Sequence, residues 1–143
     1  MTDLPCPCGL PARYRGCCGR WHDGAPAPSA GLLMRSRYSA FVLDRLDYLL
    51  ATWHPSTRPA ALAANEPGLR WLGLQVRAQR QIDADHAEVE FVALSKLGGR
   101  AHRLHEHSRF VREQGRWLYL DGDASGTPSR AKGAANGSPM NRL

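Results

Sequence analysis

The chain changes its hydrophobic period once, near Gly68, and that change divides it. Before it, apolar side chains recur at helical spacing. Met34, Tyr38, Phe41 and Val42 follow the i, i+4, i+7, i+8 order of one helix face, with Ser29 in front as an N-cap. A second short helix is predicted with Leu46, Leu49 and Leu50 inward and Asp44 near its start; it ends at Trp53-His54-Pro55-Ser56. The alanine-rich segment from Pro59 to Asn65 reads as a third short helix, closed by Pro67-Gly68. Past Gly68 the period is two. Leu72, Leu74, Val76 and Ala78 alternate with polar positions and predict a strand with one wet face. After a turn at 83–85, Ala87, Val89, Phe91 and Ala93 predict a second strand. Leu97-Gly98-Gly99-Arg100 is a hairpin turn, and His102, Leu104, Glu106, Ser108 and Phe110 share one face of a third strand. The segment 113–116 turns again, and Trp117 to Asp121 is the last strand. Helices followed by an antiparallel meander predict an α+β fold, with helices packed on one face of a curved sheet.

The flanks lack this pattern. Residues 1–23 are rich in Cys, Gly, Pro and Arg and hold few core formers; residues 24–29 (Gly-Ala-Pro-Ala-Pro-Ser) form a stiff connector. Residues 123–143 have no periodicity and read as a disordered tail. Four segments are predicted: a metal-binding module at 1–23, a linker at 24–29, an α+β domain at 30–122 and the tail at 123–143. Because its apolar side chains lie between Leu32 and Leu120, the α+β domain is expected to fold without the module across the linker.

Length and charge narrow the classes. The 143 residues make one domain with a small appendage, and 43% hydrophobic with 22% charged residues excludes a wholly disordered or collagen-like chain. No apolar run approaches the ~20 residues that span a bilayer. Met1 to Cys8 offers neither a basic start nor an apolar stretch, so a cytoplasmic protein is expected. The formal net charge is +6, but residues 124–143 take a large share through Arg130, Lys132 and Arg142 with no acid. Cations are not clustered on one element of the body, so nucleic acid is a weak expectation.

All four cysteines fall within thirteen residues: Cys6, Cys8, Cys17 and Cys18. A disulfide scaffold would spread them over the fold; clustering points to a metal. Four thiolates at ~2.3 Å suit tetrahedral Zn²⁺ and leave no open position, so one structural zinc per chain is expected. Iron–sulfur ligation and thiol redox chemistry are the alternatives, although a C-x-x-C redox pair is absent. His22 is the alternative to Cys18 as fourth ligand, because adjacent cysteines converge on one metal with difficulty.

The run Cys6-Pro-Cys-Gly-Leu-Pro-Ala-Arg-Tyr-Arg-Gly-Cys-Cys-Gly19 resembles the SEC-C motif, named for the zinc tail of the SecA translocation ATPase. The resemblance implies Cys6, Cys8, Cys17 and Cys18 as ligands. Leu10-Pro11 stands where Ser-Gly is usual, and Ala12 and Gly16 replace two lysines, so the loop is less basic than the pattern. Five further stretches, Leu33–Phe41, Thr52–Ser56, Trp71–Leu74, Ser108–Phe110 and Trp117–Gly122, resemble the YchJ-like family from residue 5 to about 122. That resemblance implies the cone-shaped α+β fold of nuclear transport factor two; it implies no reaction. Many relatives carry a second SEC-C copy near the C-terminus, and this tail has no cysteine.

The other chemistry-bearing residues are scattered. His105 and His107 share a strand face and His102 does not, which reads as a solvated face. A pocket between sheet and helices would be lined by His54, Ser108, Arg109, Tyr119 and Asp121. Arg35 and Arg37 read as a solvated helix face. No nucleophile–base pair or phosphate loop is evident. The leading expectation is a zinc-containing interaction protein that docks Arg13, Tyr14 and Arg15 on an acidic protein surface. The alternative is a small-molecule-binding or hydrolytic enzyme using the cone's cavity.

Overall fold

The computed structural model describes residues 4–124. The tail expected to be disordered lies outside the described residues, apart from Asp123 and Ala124, which finish the last strand. Within that span come α1 (Cys18–His22), α2 (Ala30–Val42), α3 (Leu46–Ala51), β1 (Arg70–Asp83), β2 (His86–Leu97), β3 (Arg100–Glu113) and β4 (Arg116–Ala124). The strands form one antiparallel sheet in chain order, a meander. The Gly98-Gly99 turn has φ of 58° and 79°, the mirror-image geometry that matches strand twist. The α+β reading holds.

α2 is the central element. Ser29 caps it by accepting the Leu32 backbone N–H at 3.1 Å. Met34, Tyr38 and Phe41 are buried against the sheet, as the stripe predicted, with Val42 at its margin. But Leu33, Ser36, Arg37, Ser39 and Ala40 are buried too. The cause is a second layer: the N-terminal module covers Ser36 and Ser39 through His22 and Cys6, while α3, the chain after it and β4 close over Arg37. The linker therefore does not hold two bodies apart, contrary to expectation. All four cysteines, Trp21 and Ala27 belong to the same buried cluster as Met34, Phe91 and Tyr119.

Three local expectations are corrected. Pro59 to Asn65 forms no helix. Prolines at 59 and 67 bracket a segment too short to propagate one, and Asn65 is spent on tertiary bonds. Its amide Nδ2 donates to the Phe41 carbonyl at 2.7 Å, and its backbone N–H donates to Asp44 Oδ1 at 2.9 Å. In β1, a register shift between Trp71 and Gly73 turns Trp71 inward with Leu74 and Val76 and leaves Leu72 51% exposed. In α3 only Leu49 is fully buried. The sheet's last edge is covered by the chain after α3: Tyr119 N–H donates to Thr52 O, and His54 N–H to Tyr119 O, both at 2.8 Å.

Candidate metal centre and the buried polar core

The cysteine loop is built by backbone bonds. A bridge joins Pro5 and Arg13, Cys6 N–H donates to Ala12 O at 3.0 Å, and Tyr14 N–H donates to Leu4 O at 2.8 Å. A 3-10 turn at Tyr14–Gly16 then delivers Cys17 and the start of α1. The backbone at Cys17 lies outside both helical and extended conformations (φ −128°, ψ −114°), which lets adjacent side chains face one point. All four Sγ atoms lie within 4.8 Å of one another, and Cys8 and Cys17 are 3.6 Å apart. A tetrahedron with 2.3 Å metal–sulfur bonds has edges of about 3.8 Å, so the separations fit Zn²⁺.

Electrostatics asks for a cation at the same place. Hydrogen bonds from Cys18 and then Cys8 hold the Cys6 thiol far below the usual thiol range. The bond to Cys6 and then that to Cys8 push Cys18 up, and burial pushes Cys17 up to about 12. Cys17 and Cys18 thus hold their protons beside the Cys6 thiolate; a divalent cation offsets the accumulated charge and makes their thiolates available. Every ligand is buried.

His22 is excluded as a ligand by its own bonds. Its Nε2 lies 2.8 Å from the Ser36 carbonyl, which only accepts, so Nε2 carries the proton. Nδ1 therefore accepts from the Tyr14 hydroxyl at 2.6 Å. Burial lowers the His22 pKa, which agrees with a neutral ring. The histidine is a strut between α1 and α2. Two more bonds tie the loop to α2: Arg35 Nη1 donates to Cys8 O at 2.9 Å, and Ser39 Oγ contacts Cys6 Sγ at 3.6 Å.

Of the expected docking trio, Arg13 and Arg15 are exposed. Tyr14 is half-buried, with its hydroxyl on His22 and its ring on Gly19, where a Cβ would stand 3.1 Å from the ring. The expected pocket residues do not converge. His54 sits at the sheet's end, its Nε2 2.8 Å from Glu113 and its Nδ1 2.7 Å from Ser56 Oγ. Arg109 lies on the outer sheet face, paired with Asp121 and with Asp123 at 3.0 Å. His105 and His107 share that face and pair with Glu90 and Glu88. His102 is exposed.

Of the expected pocket residues, only Ser108 and Tyr119 meet inside, and they meet two residues, Glu106 and Arg37, that the sequence reading did not place in a pocket. Glu106 accepts the Ser108 hydroxyl at 2.6 Å and the Tyr119 hydroxyl at 3.1 Å. Arg37, assigned to a wet helix face, is 0% exposed. Its Nη1 donates to Leu49 O at 2.9 Å and Thr52 Oγ1 at 2.8 Å, and its guanidinium stacks on Tyr119 and Trp53. Burial lowers its pKa to about 10, with the Tyr119, Tyr48 and Glu106 charges working the other way. The arginine stays protonated at neutral pH. The signal was phase: Arg37 lies four residues after Leu33 and four before Phe41, and Glu106 lies between Leu104 and Ser108 on the inward face.

These features can be set beside known proteins. Residues 29–122 match the family described as YchJ, middle NTF2-like domain. The chain belongs to this family. A UPF0225 protein of Methylibium petroleiphilum is 71% identical over 124 residues, covering 85% of this chain and 90% of that protein. A UPF0225 protein of Bordetella parapertussis is 63% identical over 125 residues, covering 85% and 94%. Two similar solved structures are SEC-C motif containing proteins. The one from Rhodopseudomonas palustris has a TM-score of 0.73 at 30% identity and covers 85% of this chain and 98% of that one. The one from Psychrobacter arcticus has 0.69 at 29%, covering 90% and 86%. The YchJ-like chain described here thus joins a SEC-C-type cysteine cluster to an NTF2-like sheet. Among the described residues, no helix is long and apolar enough to cross a membrane.

Proposed function

We propose that this YchJ-like protein is an interaction protein whose docking loop is shaped by a structural Zn²⁺ held by Cys6, Cys8, Cys17 and Cys18. The observation that carries the reading is closure. Four buried thiolates saturate a tetrahedral ion and exclude water, so the metal activates no substrate and serves to hold a loop. That loop presents Arg13 and Arg15 to solvent, with Arg20 stacked on Trp21 behind them. Guanidiniums on a rigid frame suit carboxylates on a partner protein. Four free thiols also suit a reducing compartment such as the cytoplasm. The competing small-molecule or hydrolytic reading wanted an open cone at Ser108 and Tyr119, where Glu106 and Arg37 already occupy the space.

The test compares wild type with an Arg13→Glu, Arg15→Glu variant that keeps its metal. Tyr14 is left alone because it supports His22. Partners recovered by wild type and lost by the variant support the reading. Equal recovery, or recovery of nucleic acid in place of protein, overturns it.

A further inference from the structure

One stretch of α2 is turned toward the cysteine loop. Arg35 Nη1 donates to the Cys8 carbonyl at 2.9 Å, the Ser36 carbonyl holds His22 Nε2 at 2.8 Å, and Ser39 Oγ lies 3.6 Å from Cys6 Sγ. Arg35 and Ser39 thus bear on two of the four cysteines, and both belong to the NTF2-like domain.

The two serines of this stretch differ in what their hydroxyls meet. Both are fully buried. Ser36 does what a serine inside a helix commonly does: its Oγ donates back to the Leu33 carbonyl, and it accepts from the Tyr48 hydroxyl. The Ser39 hydroxyl finds sulfur instead, at Cys6 and at the Cys18 side chain. A thiol and a hydroxyl can each donate to the other, but a thiolate that ligates a cation has no proton to give, so the hydroxyl becomes the donor. Hydrogen bonds to an ionised acceptor are the strong ones, so this buried hydroxyl is best satisfied when Cys6 is a thiolate.

Charge points the same way. Four thiolates around a divalent ion leave two negative charges, and every ligand is shielded from water. Guanidiniums approach from both sides: Arg35 on the Cys8 carbonyl from the domain, and Arg20 Nε on the Cys17 carbonyl at 3.3 Å from the module itself.

We propose that α2 completes the metal centre: Ser39 donates a hydrogen bond to the Cys6 thiolate, Arg35 holds the Cys8 end and offsets its charge, and the affinity for the ion is therefore set in part from outside the cysteine loop. Both are positioning residues, since they act on the ion through sulfur and backbone. The inference rests on the reading that the four cysteines hold zinc, and it is independent of the docking role given to Arg13 and Arg15.

The test measures zinc affinity of the full chain by competition with a chelator, and the sulfur-to-metal charge-transfer band of the same chain loaded with cobalt(II). Ser39→Ala should weaken zinc binding about ten- to a hundredfold, the range lost when a group supporting a metal ligand is removed. It should also move the cobalt band to longer wavelength, because a thiolate without its hydrogen bond gives up an electron more readily. Ser36→Ala removes an equally buried hydroxyl that meets only oxygen, and should leave the band in place even where it lowers the melting temperature. Arg35→Gln, at a half-buried position, should weaken zinc binding several-fold with the fold intact, and it carries the test should Ser39→Ala not fold. An affinity and a band in Ser39→Ala equal to wild type, the same band shift in Ser36→Ala, or an Arg35→Gln affinity equal to wild type would overturn the proposal while leaving the zinc site standing. A wild-type chain that takes up neither metal would overturn the zinc reading, and this inference with it.

Discussion

Replacing Arg37 by leucine tests the most unexpected part of the fold. The substitution keeps apolar bulk on α2 and removes the guanidinium. Two hydrogen bonds from a charged donor disappear, to Leu49 O and Thr52 Oγ1, each contributing about 1.5–3 kcal/mol. Stacking on Tyr119 and Trp53, at 4.6 and 5.0 Å to the ring centres, adds about 2 kcal/mol. The gross loss is therefore about 5–8 kcal/mol. Against it stands relief: the folded state no longer desolvates a guanidinium, which returns several kcal/mol. The net expectation is a loss of about 2–4 kcal/mol, or a melting temperature lower by roughly 8–15 °C for a domain of this size. Urea and thermal melts followed by circular dichroism measure it. The double variant Arg37→Leu, Glu106→Gln should be more stable than the sum of the two single effects predicts, by about 1 kcal/mol or more, because the carboxylate then no longer lacks its cation. A single variant within about 1 kcal/mol of wild type would refute the reasoning. It would mean that the desolvation cost cancels the network.

Three further outcomes are expected. Elemental analysis of reductant-purified protein should give one zinc per chain, and a Cys6→Ser, Cys17→Ser variant should melt as one transition at lower temperature, because the cysteines share a core with Met34 and Phe91; two separate transitions would restore independent modules. Acid should weaken the fold through His22, whose pKa is lowered by burial. The unfolded chain then takes up a proton that the folded chain refuses, so stability is whole above about pH 6.5 and falls below it, by up to about 1.4 kcal/mol per pH unit; urea midpoints between pH 5 and 7.5 should slope less in His22→Gln. Gly122→Ala should cost about 2–4 kcal/mol, since its Cβ would stand 2.7 Å from Glu106 Cδ and displace the carboxylate from Ser108 and Tyr119; Gly16→Ala, with nothing within 4 Å, should change the melt little.

Much of this protein was legible one residue at a time. Period two after Gly68, the glycine turn at 98–99 and the Ser29 cap are local signals, and local chemistry decides them wherever they occur. Four cysteines in thirteen residues announce a metal site for the same reason: the ligands are close in sequence, so little folding is needed to gather them. Tertiary structure decided what lies on the far side of each element. Helix periodicity marks one buried stripe, but α2 is buried on two sides, and nothing local tells Arg37 from a solvated arginine until Trp53 and Tyr119 close over it. The choice between Cys18 and His22 likewise needed three dimensions, because the Ser36 carbonyl that claims the histidine lies fourteen residues away on another helix. Asn65 could be read as part of a helix only while its partners at Phe41 and Asp44 were unseen. The bulge after Trp71 exchanges that residue with Leu72, a one-residue slip that strict alternation cannot register, and the core takes the larger ring.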